Sequence, residues 1–579
     1  MKSFGKLISY LKPYTLFAIL GPLLMCVEVA MDLLQPTIMS HIIDDGIANN
    51  DSAYVIKLGI LMLVTAFIGL IGGAGSTIFS ARAAINFSSD LRRDVFRKTQ
   101  HFSNRNLDSF GIGKLITIVT NDITSVQQAV MMTLRVFVRG PLLFIGAVVI
   151  VWITAPELFP VLLLAIPILI ILIYYFSAKS GKLFGKVQKA MDSVNTKLQE
   201  TFSGIRVIKA FDRKNYEIEA FDEINDTLMK RNLVAEQVIL TLSPIVMFVV
   251  NIGVVAGMWM GAIKVDEGLL QVGVILAFIN YLNIIMNGLM TSIHVLMQIT
   301  KSFASASRIS KVLETDSDIN GANTTVSSSV QGSIAFEDVS FSYSKNGEYV
   351  LKNITFNIQA GQKVGIIGST GSGKSTLVKL IPRLYDPDEG RVLIDGVDSR
   401  EITLLNLRKA IGFVPQKASL FSGSIKENLQ YGKEGAQEQE MEEAVSAAAA
   451  KEFINQLEEG FDYRLMQGAT NLSGGQKQRL SMARAFIRQP KILVLDDSTS
   501  AIDAISEASV QQTLNEQKES MTVIIISSKI SSIKDADQIF VMDDGRLVAS
   551  GTHEELLNNS NVYRGIYETQ TGKGVSSNE

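Results

Sequence analysis

The N-terminal half of the chain alternates between long apolar stretches and charged ones. Each apolar stretch is near or above the roughly 20 residues that an α-helix needs to cross about 30 Å of hydrocarbon. Six such stretches occur, at about residues 15–40, 55–80, 135–155, 158–178, 238–263 and 269–298. The pattern predicts an α-helical membrane domain with six spans over residues 1–314, and an even number of spans puts both of its ends on one side of the membrane.

Basic residues concentrate in the connections on one side of these spans. Those that precede the first span or follow the second are Lys2, Lys6, Lys12, Arg82, Arg92, Arg93, Arg97, Lys98 and Arg105. The alternate loops carry mainly acidic residues, such as Asp44, Asp45 and Glu157. Positively charged loops remain in the cytoplasm, so we expect cytoplasmic termini. The basic start of the chain shows no signal-peptide cleavage site after a short apolar core.

The connections between spans differ in length. The outer loops are short, whereas the two inner ones, residues 81–134 and 179–237, are long, charged and helix-periodic with almost no proline. Helices should therefore extend far into the cytoplasm. Charge and aromatic residues interrupt the periodicity near Asn106–Lys114 and Ala210–Glu217, which predicts turning points there. We expect these tips to dock on a soluble domain.

Polar residues inside the spans are costly enough to suggest a role. Glu28 and Asp32 lie four residues apart on one face of the first span and should face the protein interior, where they are candidates to line a substrate pathway. A second face, on the sixth span, is a candidate lining of a substrate pathway: Asn280, Asn283, Asn287 and His294, with Met290 nearby. The alternative for both groups is structural, namely hydrogen bonding to neighbouring helices.

The second half of the chain has a different pattern. Residues 315–332 are rich in Ser, Thr, Asn and Gly, which indicates a linker, and a new domain is predicted over residues 333–579. Strand-like segments alternate there with helical ones, which predicts a largely parallel sheet covered by helices, an α/β domain. The segments are SIAFEDVSFSY, LKNITFNI, KVGII, RVLIDG, AIGFVPQ, KILVLDD and TVIIIS.

The stretch GSTGSGKS fits the pattern G-x-x-x-x-G-K-[ST] between a strand and a helix. In such a loop, backbone N–H groups surround nucleotide phosphates, the lysine reaches the β- and γ-phosphates and the last hydroxyl binds Mg²⁺. Lys374 and Ser375 hold these two positions. The candidate ATP-binding residues here are Gly368, Ser369, Thr370, Gly371, Ser372, Gly373, Lys374, Ser375 and Thr376.

Two further motifs add to this loop. KILVLDD ends a buried strand in Asp496, placed to hold Mg²⁺, and Asp497, placed to orient a water. LSGGQKQR supplies Ser473, Gly474, Gly475 and Gln476 at a predicted helix start, which would be a second anion-binding cap. One nucleotide has one γ-phosphate, so this second cap is best explained if it serves a nucleotide held by another subunit.

With six spans and long inner loops ahead of them, the motifs GSTGSGKS, FVPQ, LSGGQ, LVLDD and SAID make the chain resemble an ATP-binding cassette exporter half-transporter. The resemblance implies that two halves dimerise head to tail and enclose two ATP molecules with Mg²⁺. It also implies that Gln416 senses Mg²⁺ and the membrane domain, that Tyr343 stacks on adenine, and that Asp503 contacts the partner.

The chain departs from that family's pattern beside the γ-phosphate. Asp497 stands where the family has a catalytic glutamate, and Ser528 stands where it has the switch histidine. Gln467 and Ala469 replace the usual glutamate and glycine just before LSGGQ. A shorter carboxylate and a hydroxyl in place of imidazole predict a degenerate ATP site on this chain. The intact LSGGQ would complete a competent site on a different partner, where most hydrolysis would occur, as in heterodimeric multidrug exporters.

The sequence thus predicts an ATP-hydrolysing subunit of an exporter that moves amphipathic compounds or drugs across the cell membrane. Its expected partners are a second, non-identical half-transporter, the lipid bilayer and a small amphipathic substrate. The alternatives are a lipid or peptide exporter and a membrane sensor driven by ATP-dependent closure. The net charge of −3 gives no electrostatic case for nucleic acid. The single cysteine, Cys26, excludes an intrachain disulfide.

Overall fold

The computed structural model describes residues 2–319, 330–344, 347–517 and 520–571. These form two compact units. One holds the described residues of Met1–Gln100 and Gly113–Thr315, and the other holds those of His101–Ile112 and Asp316–Glu579. Most of the sequence predicted as a linker, residues 320–329, lies outside the described residues.

The first unit is built from long helices. They are α1 (Lys2–Ile8), α2 (Thr15–His41), α3 (Ser52–Gln100), α5 (Ile112–Thr117), α6 (Ile123–Thr154), α7 (Phe159–Ser203), α8 (Ile205–Ala210), α9 (Lys214–Asp266) and α10 (Val272–Glu314). Short 3-10 or π segments continue several of them, at Ser9–Tyr14, Ile42–Ile47, Ile118–Asp122 and Pro156–Leu158. A helix satisfies its own backbone hydrogen bonds, which hydrocarbon requires.

Six helical segments of the described chain are long and apolar enough to cross a membrane, which confirms the predicted six-span domain. They are Gly5–Ile47, Ser52–Gln100, Ile112–Thr154, Pro156–Ser203, Lys214–Asp266 and Val272–Ser292. Helix α9 alone has 53 residues, which is about 80 Å at 1.5 Å per residue and far more than the bilayer needs. The predicted helical extensions beyond the membrane are therefore present.

Helices of this unit pack closely in pairs, α2 with α3, α6 with α10 and α7 with α9. Small residues permit the approach of α6 and α10, because a Cβ atom on Gly288 would lie 2.9 Å from the carbonyl oxygen of Gly140. The apolar core between α2, α6 and α10 includes Met25, Val151 and Tyr281. The Tyr281 hydroxyl donates to the carbonyl of Leu33 at 2.7 Å, so this polar group is satisfied within the core.

The chain turns at both predicted tips. Helix α4 (Asn104–Phe110) ends at Gly111, whose φ of +76° breaks the helix. The second turn follows α8, and α9 then begins at Lys214. Helix α4 is capped by Ser103, whose hydroxyl accepts from the backbone N–H of Asn106, and this short helix is part of the second unit.

The second unit contains two main sheets. One has four strands in the order β2-β1-β4-β5 and is antiparallel, and the other has six in the order β12-β11-β3-β10-β9-β6. The strands are β1 (Ile334–Phe341), β2 (Leu351–Ile358), β3 (Lys363–Gly368), β4 (Glu389–Ile394), β5 (Val397–Asp398), β6 (Ile411–Val414), β7 (Gly423–Ser424), β8 (Arg464–Leu465), β9 (Ile492–Asp496), β10 (Thr522–Ile526), β11 (Gln538–Asp543) and β12 (Arg546–Gly551).

The six-stranded sheet is parallel apart from its edge strand β12, as predicted for the α/β domain. The separate antiparallel sheet was not predicted. It forms because β1 and β2, which follow one another in the chain, pair as antiparallel neighbours, and β4 pairs antiparallel with the other edge of β1. The remaining helices are α11 (Lys374–Leu380), α12 (Leu404–Ala410), α13 (Ile425–Gln430), α14 (Glu438–Ala447), α15 (Lys451–Asn455), α16 (Gly474–Phe486), α17 (Ala504–Glu516), α18 (His553–Asn559) and α19 (Asn561–Thr571).

Helix α4 is fastened to the antiparallel sheet and the segment before β4. Arg105 donates to the carbonyl of Ser342 at 2.9 Å and to Asp388 at 3.0 Å. Asp108 accepts from the Tyr385 hydroxyl at 2.6 Å. Burial, followed by this bond to a carboxylate, raises the pKa of Tyr385. The first predicted tip thus docks on the soluble domain.

Candidate functional site

The phosphate loop joins β3 to α11. Gly371 and Gly373 have φ values of +88° and +94°, a region that favours glycine. The Lys374 ammonium donates to the carbonyls of Gly368 and Ser369 at 2.9 and 2.7 Å, so its side chain lies along the loop. Burial lowers the pKa of Lys374, against the attraction of Asp497 and Asp496. The loop sequence therefore forms the cradle that its motif requires.

A cavity of about 360 Å³ opens over this loop. It brings together most of the predicted ATP-site residues, although they come from four places in the sequence. Its lining is Val350, Gly368, Thr370, Gly371, Gly373, Lys374, Ser375, Thr376, Gln416, Asp497, Ile526 and Ser528. Ser369 and Ser372 lie in the same loop, and Ser372 Oγ is 3.3 Å from the Lys374 ammonium. A cavity of this size and polarity is suited to a nucleotide's phosphates.

Oxygen atoms suited to Mg²⁺ meet beside the loop. The Ser375 hydroxyl donates to Asp496 at 2.7 Å, and burial raises the pKa of Asp496. Gln416 donates to Oδ2 of Asp497 at 3.2 Å, while Oδ1 of Asp497 is buried without a partner in the described chain. Hydroxyl, carboxylate and amide oxygens are the ligands that Mg²⁺ prefers. These residues fit a bound Mg²⁺ and nucleotide.

Asp497 and Ser528 both line this cavity, at the ends of neighbouring strands β9 and β10. Asp497 has a φ of +47°, and its backbone N–H donates to the Ile526 carbonyl at 2.9 Å. Ser528 is exposed. Its carbonyl accepts from the Gln570 side chain at 2.7 Å, and the same amide accepts from the Ile530 N–H at 2.9 Å. Sequence reasoning missed Gln570, because no local motif includes it.

Tyr343, predicted to stack on adenine, lies near the phosphate loop but not in the cavity lining. Its hydroxyl is 3.0 Å from the hydroxyl of Thr376. Its ring packs edge-on against Phe341 and Tyr385, with centroids 5.1 and 5.3 Å apart. About 38% of Tyr343 is exposed, so part of the ring is open to a ligand.

The LSGGQ segment forms a helix start away from the phosphate-loop cavity. Ser473 caps α16, its hydroxyl accepting from the N–H of Gln476, and the Gln476 side chain accepts from the N–H of Ser473 at 2.8 Å. Gly474 and Gly475 begin the helix. None of these four residues lines the cavity above. The two anion-binding features of the chain therefore do not meet within it.

Asp503 begins the next helix, α17. Its carboxylate accepts from the Ser506 N–H at 2.9 Å and from the Ser506 hydroxyl at 2.8 Å. The first of these bonds is the main reason that the pKa of Asp503 is lowered. The structure thus gives this residue a capping role within its own chain.

The acidic pair of the first span has a partner that the sequence analysis overlooked. Arg139 of α6 lies 3.3 Å from Glu28 and 3.1 Å from Asp32, both on α2. Both carboxylates face α6, with the Glu28 side chain about 15% exposed and that of Asp32 about 41% exposed, and their charge is matched by Arg139. A signal for this pairing was present in the sequence. Arg135 and Arg139 have the same four-residue spacing in an apolar run as Glu28 and Asp32 have in theirs, and their charge is opposite.

The predicted polar face of the sixth span divides into unlike parts. Asn280 and Asn283 donate to the carbonyls of Leu276 and Ile279 on their own helix, each at 3.0 Å. Asn287 lines a cavity together with Asp32 and Arg139. Met290 is half-buried outside that lining. The side chain of His294 lies outside the described residues.

Comparisons with known proteins agree along the whole chain. The model for the "ABC transporter transmembrane region" matches residues 18–289, and the model for "ABC transporter" matches residues 351–500. The chain is 40% identical over 568 residues to the uncharacterized ABC transporter ATP-binding protein YfiB of Bacillus subtilis, covering 98% of this chain and 99% of that protein. It is 32% identical to an ATP-dependent lipid A-core flippase of Pseudomonas syringae pv. tomato, covering 98% and 96%.

A solved structure is similar over the same extent. It is described as a bacterial Atm1-family ABC exporter with ATP bound, and it matches with a TM-score of 0.79 and 25% identity. The match covers 98% of this chain and 99% of that one.

Proposed function

Because this chain belongs to the ABC transporter family, as an exporter half-transporter with fused transmembrane and nucleotide-binding domains, we propose that it is one of two non-identical subunits of an ATP-driven exporter. Its cargo would be amphipathic compounds that leave the cytoplasm. The proposal rests above all on Asp497 and Ser528, which line the phosphate cavity in place of the family's glutamate and histidine.

Binding and hydrolysis require different residues of this cavity. Lys374 and the loop N–H groups would hold the phosphates, and Ser375, Gln416 and Asp496 would hold Mg²⁺. When bound, this ion neutralises charge on the phosphates. Among these residues of the described chain, Gln416 alone bonds to an altered residue, Asp497, at 3.2 Å. The chain should therefore bind Mg-ATP as well as other family members do.

Hydrolysis needs an aligned water and a cation for the developing charge. Asp497 is one methylene shorter than glutamate, and one of its oxygens already accepts from Gln416. A displacement of about 1 Å can cost on the order of 100-fold in rate. Ser528 presents a hydroxyl, which carries no charge. We infer a site that retains ATP and a partner site, completed by Ser473 and Gly475 of this chain, that turns over.

A transport assay tests the exporter. Inverted membrane vesicles containing the chain and its partner should accumulate a fluorescent amphipathic dye when ATP is supplied. The control vesicles carry Lys374→Ala in this chain and the equivalent lysine-to-alanine change in the partner's phosphate loop. They should not accumulate the dye. ATP hydrolysis without any vectorial uptake of dyes, lipids or peptides would instead favour the membrane sensor.

Lipid export is the second candidate. It is favoured by the similarity to a protein named as an ATP-dependent lipid A-core flippase. Reconstituted vesicles with fluorescent phospholipids in one leaflet distinguish the two cargoes, because lipid export would move the label between leaflets without releasing it.

A further inference from the structure

A cavity of about 620 Å³ lies among three helices of the membrane unit. Its polar lining comes from α2, α6 and α10, and apolar side chains complete the wall. The lining includes Asp32, Arg135, Arg139, Leu143, Ile284 and Asn287. This volume is in the range of small-molecule binding sites. The close contact of Gly140 with Gly288, which also line the cavity, fixes the spacing of α6 and α10.

With the outer ends of α6 and α10 taken as the outer boundary of the hydrocarbon, the polar groups fall in the cytoplasmic half of the bilayer. Helix α6 ends at Thr154 on the outer side, and Arg139 lies about 22 Å from that end along the helix. Helix α10 begins at Val272 on the same side, and Asn287 lies about 22 Å along it. Both positions are within the inner half of roughly 30 Å of hydrocarbon. A molecule in the cytoplasmic leaflet would meet this cavity at the depth of its headgroup.

The charges around the cavity are unequally matched. Glu28 and Asp32 are both held by Arg139. Arg135, one turn further toward the cytoplasm, has no hydrogen bond or ion pair among the described residues, and Nε of Arg139 is buried without a partner. On the same scale Arg135 lies about 28 Å from Thr154, at the cytoplasmic edge of the hydrocarbon, where its guanidinium is placed to meet a charged headgroup. The missing partner is therefore an anion.

We propose that this cavity binds the anionic headgroup, carboxylate or phosphate, of an amphiphile from the cytoplasmic leaflet. Arg135 would bind the headgroup, since guanidinium matches both oxyanions in a bidentate fashion. Leu143 and Ile284 would contact its chain. A cationic headgroup is disfavoured, because Asp32 in the cavity lining and Glu28 beside it, the carboxylates found there among the described residues, already bind Arg139. The inference names a substrate class for the proposed exporter and rests on that function.

The test is a binding measurement without ATP. The full-length chain, in the oligomeric form isolated from the membrane, is placed in phosphatidylcholine nanodiscs and titrated with radiolabelled dodecyl phosphate. Arg135→Gln should weaken its binding about tenfold, the effect of losing one charge-assisted contact. Arg135→Lys keeps the charge and should retain most of the affinity. Dodecyltrimethylammonium, with the same chain, should bind weakly and equally to all three proteins.

Two further arms decide the source of the anion and the role of Arg135. If inorganic phosphate displaces dodecyl phosphate at equal concentration, the proposal of an amphiphilic ligand is overturned and the cavity is a site for free anions. Unchanged dodecyl phosphate binding in Arg135→Gln, with weaker subunit association, would overturn the site and assign Arg135 to a carboxylate of the partner subunit. If binding depends on Arg135 but no ATP-driven transport is found, the binding site is supported and only the proposed export function is contradicted.

Discussion

Two acidic residues at the end of β9 have different surroundings and therefore different expected roles. Asp496 is bonded to Ser375 in a buried setting suited to Mg²⁺. Asp497 is held through one oxygen by Gln416. A neighbouring histidine would add a cation, and Ser528 adds none. The residue-scale hypothesis is that ATP persists at this site while the partner's site turns over.

Exchanging these residues should have unequal effects. In the assembled transporter, Asp497→Asn should lower ATP turnover by only a few-fold, since the step that it affects is already slow. Ser473→Ala should lower turnover by about 100-fold, the usual cost of losing a transition-state donor. Steady-state phosphate release measures both. Abolished turnover in Asp497→Asn beside an active Ser473→Ala would show that the degenerate site is not on this chain.

The Arg139 cluster gives a second prediction at this scale. Glu28→Gln with Asp32→Asn leaves Arg139 without its partners in the membrane, so the unfolding midpoint in detergent should fall by several degrees. Adding Arg139→Gln removes the stranded charge and should recover most of the loss. A triple variant that is no more stable than the double variant would mean that the carboxylates act independently of Arg139.

The sequence was informative for these residues to very different degrees. The phosphate loop is contiguous, so its spacing alone specifies its chemistry, and the structure gathers its residues around one cavity. Arg139 and its partner Asp32 are 107 positions apart in the sequence. Such pairs depend on how helices pack, which periodicity does not encode. The same reason explains why Gln570, on the last helix, escaped notice.

At the scale of elements, hydrophobic length and periodicity were enough to predict the helices of the first unit. Strand pairing was harder. The strands β1, β2 and β4 are buried only in part, whereas β9 and β10 are buried throughout, but this difference alone does not specify that the first three form an antiparallel sheet of their own. Pairing direction is set by the connections between strands rather than by the strands themselves.

Helix α19 reaches back to the segment that carries Ser528, through the bonds of Gln570 to Ser528 and Ile530. Gln570→Ala should loosen that side of the phosphate cavity and speed ATP release from this chain's site about tenfold, the effect of about 1.4 kcal/mol. Release of labelled ATP from the assembled transporter under chase conditions measures it.

Thr569→Ala is the matched control for Gln570→Ala. Thr569 lies on the same turn, but its hydroxyl bonds only to the Gly565 carbonyl of its own helix. Equal acceleration in both variants would indicate a general weakening of α19 and no specific role for Gln570. Gln570→Glu keeps an acceptor for Ile530 but lacks the donor for Ser528, and should fall between the two.

At the scale of the whole molecule, the chain has one phosphate loop and one LSGGQ helix start that do not share a cavity. In the proposed dimer, each would supply half of an ATP site. If the second subunit must be a different protein, the chain alone should hydrolyse little ATP.

The chain purified alone should show little ATP turnover, and addition of its partner should raise turnover by at least tenfold. Asp497→Glu lengthens the carboxylate side chain by one methylene, and Ser528→His adds a group that can carry a positive charge. Combined, the two changes should give the chain alone measurable ATP hydrolysis. Lys374→Ala in that restored background is the control for contaminating ATPases. Robust turnover by the unaltered chain as a homodimer would contradict the heterodimer.

Helix α4 belongs to the second unit although it lies between α3 and α5 of the first. The soluble unit is thus discontinuous in sequence, and this affects the order of its assembly during synthesis. The ribosome delivers Arg105 and Asp108 more than 200 residues before Ser342, Tyr385 and Asp388, their partners. At about 5–20 residues per second, this interval is roughly 10–50 s. During that time Arg105 and Asp108 lack the partners that they bond in the folded protein. Helix α4 can therefore dock only after the sequence through Asp388 has been translated.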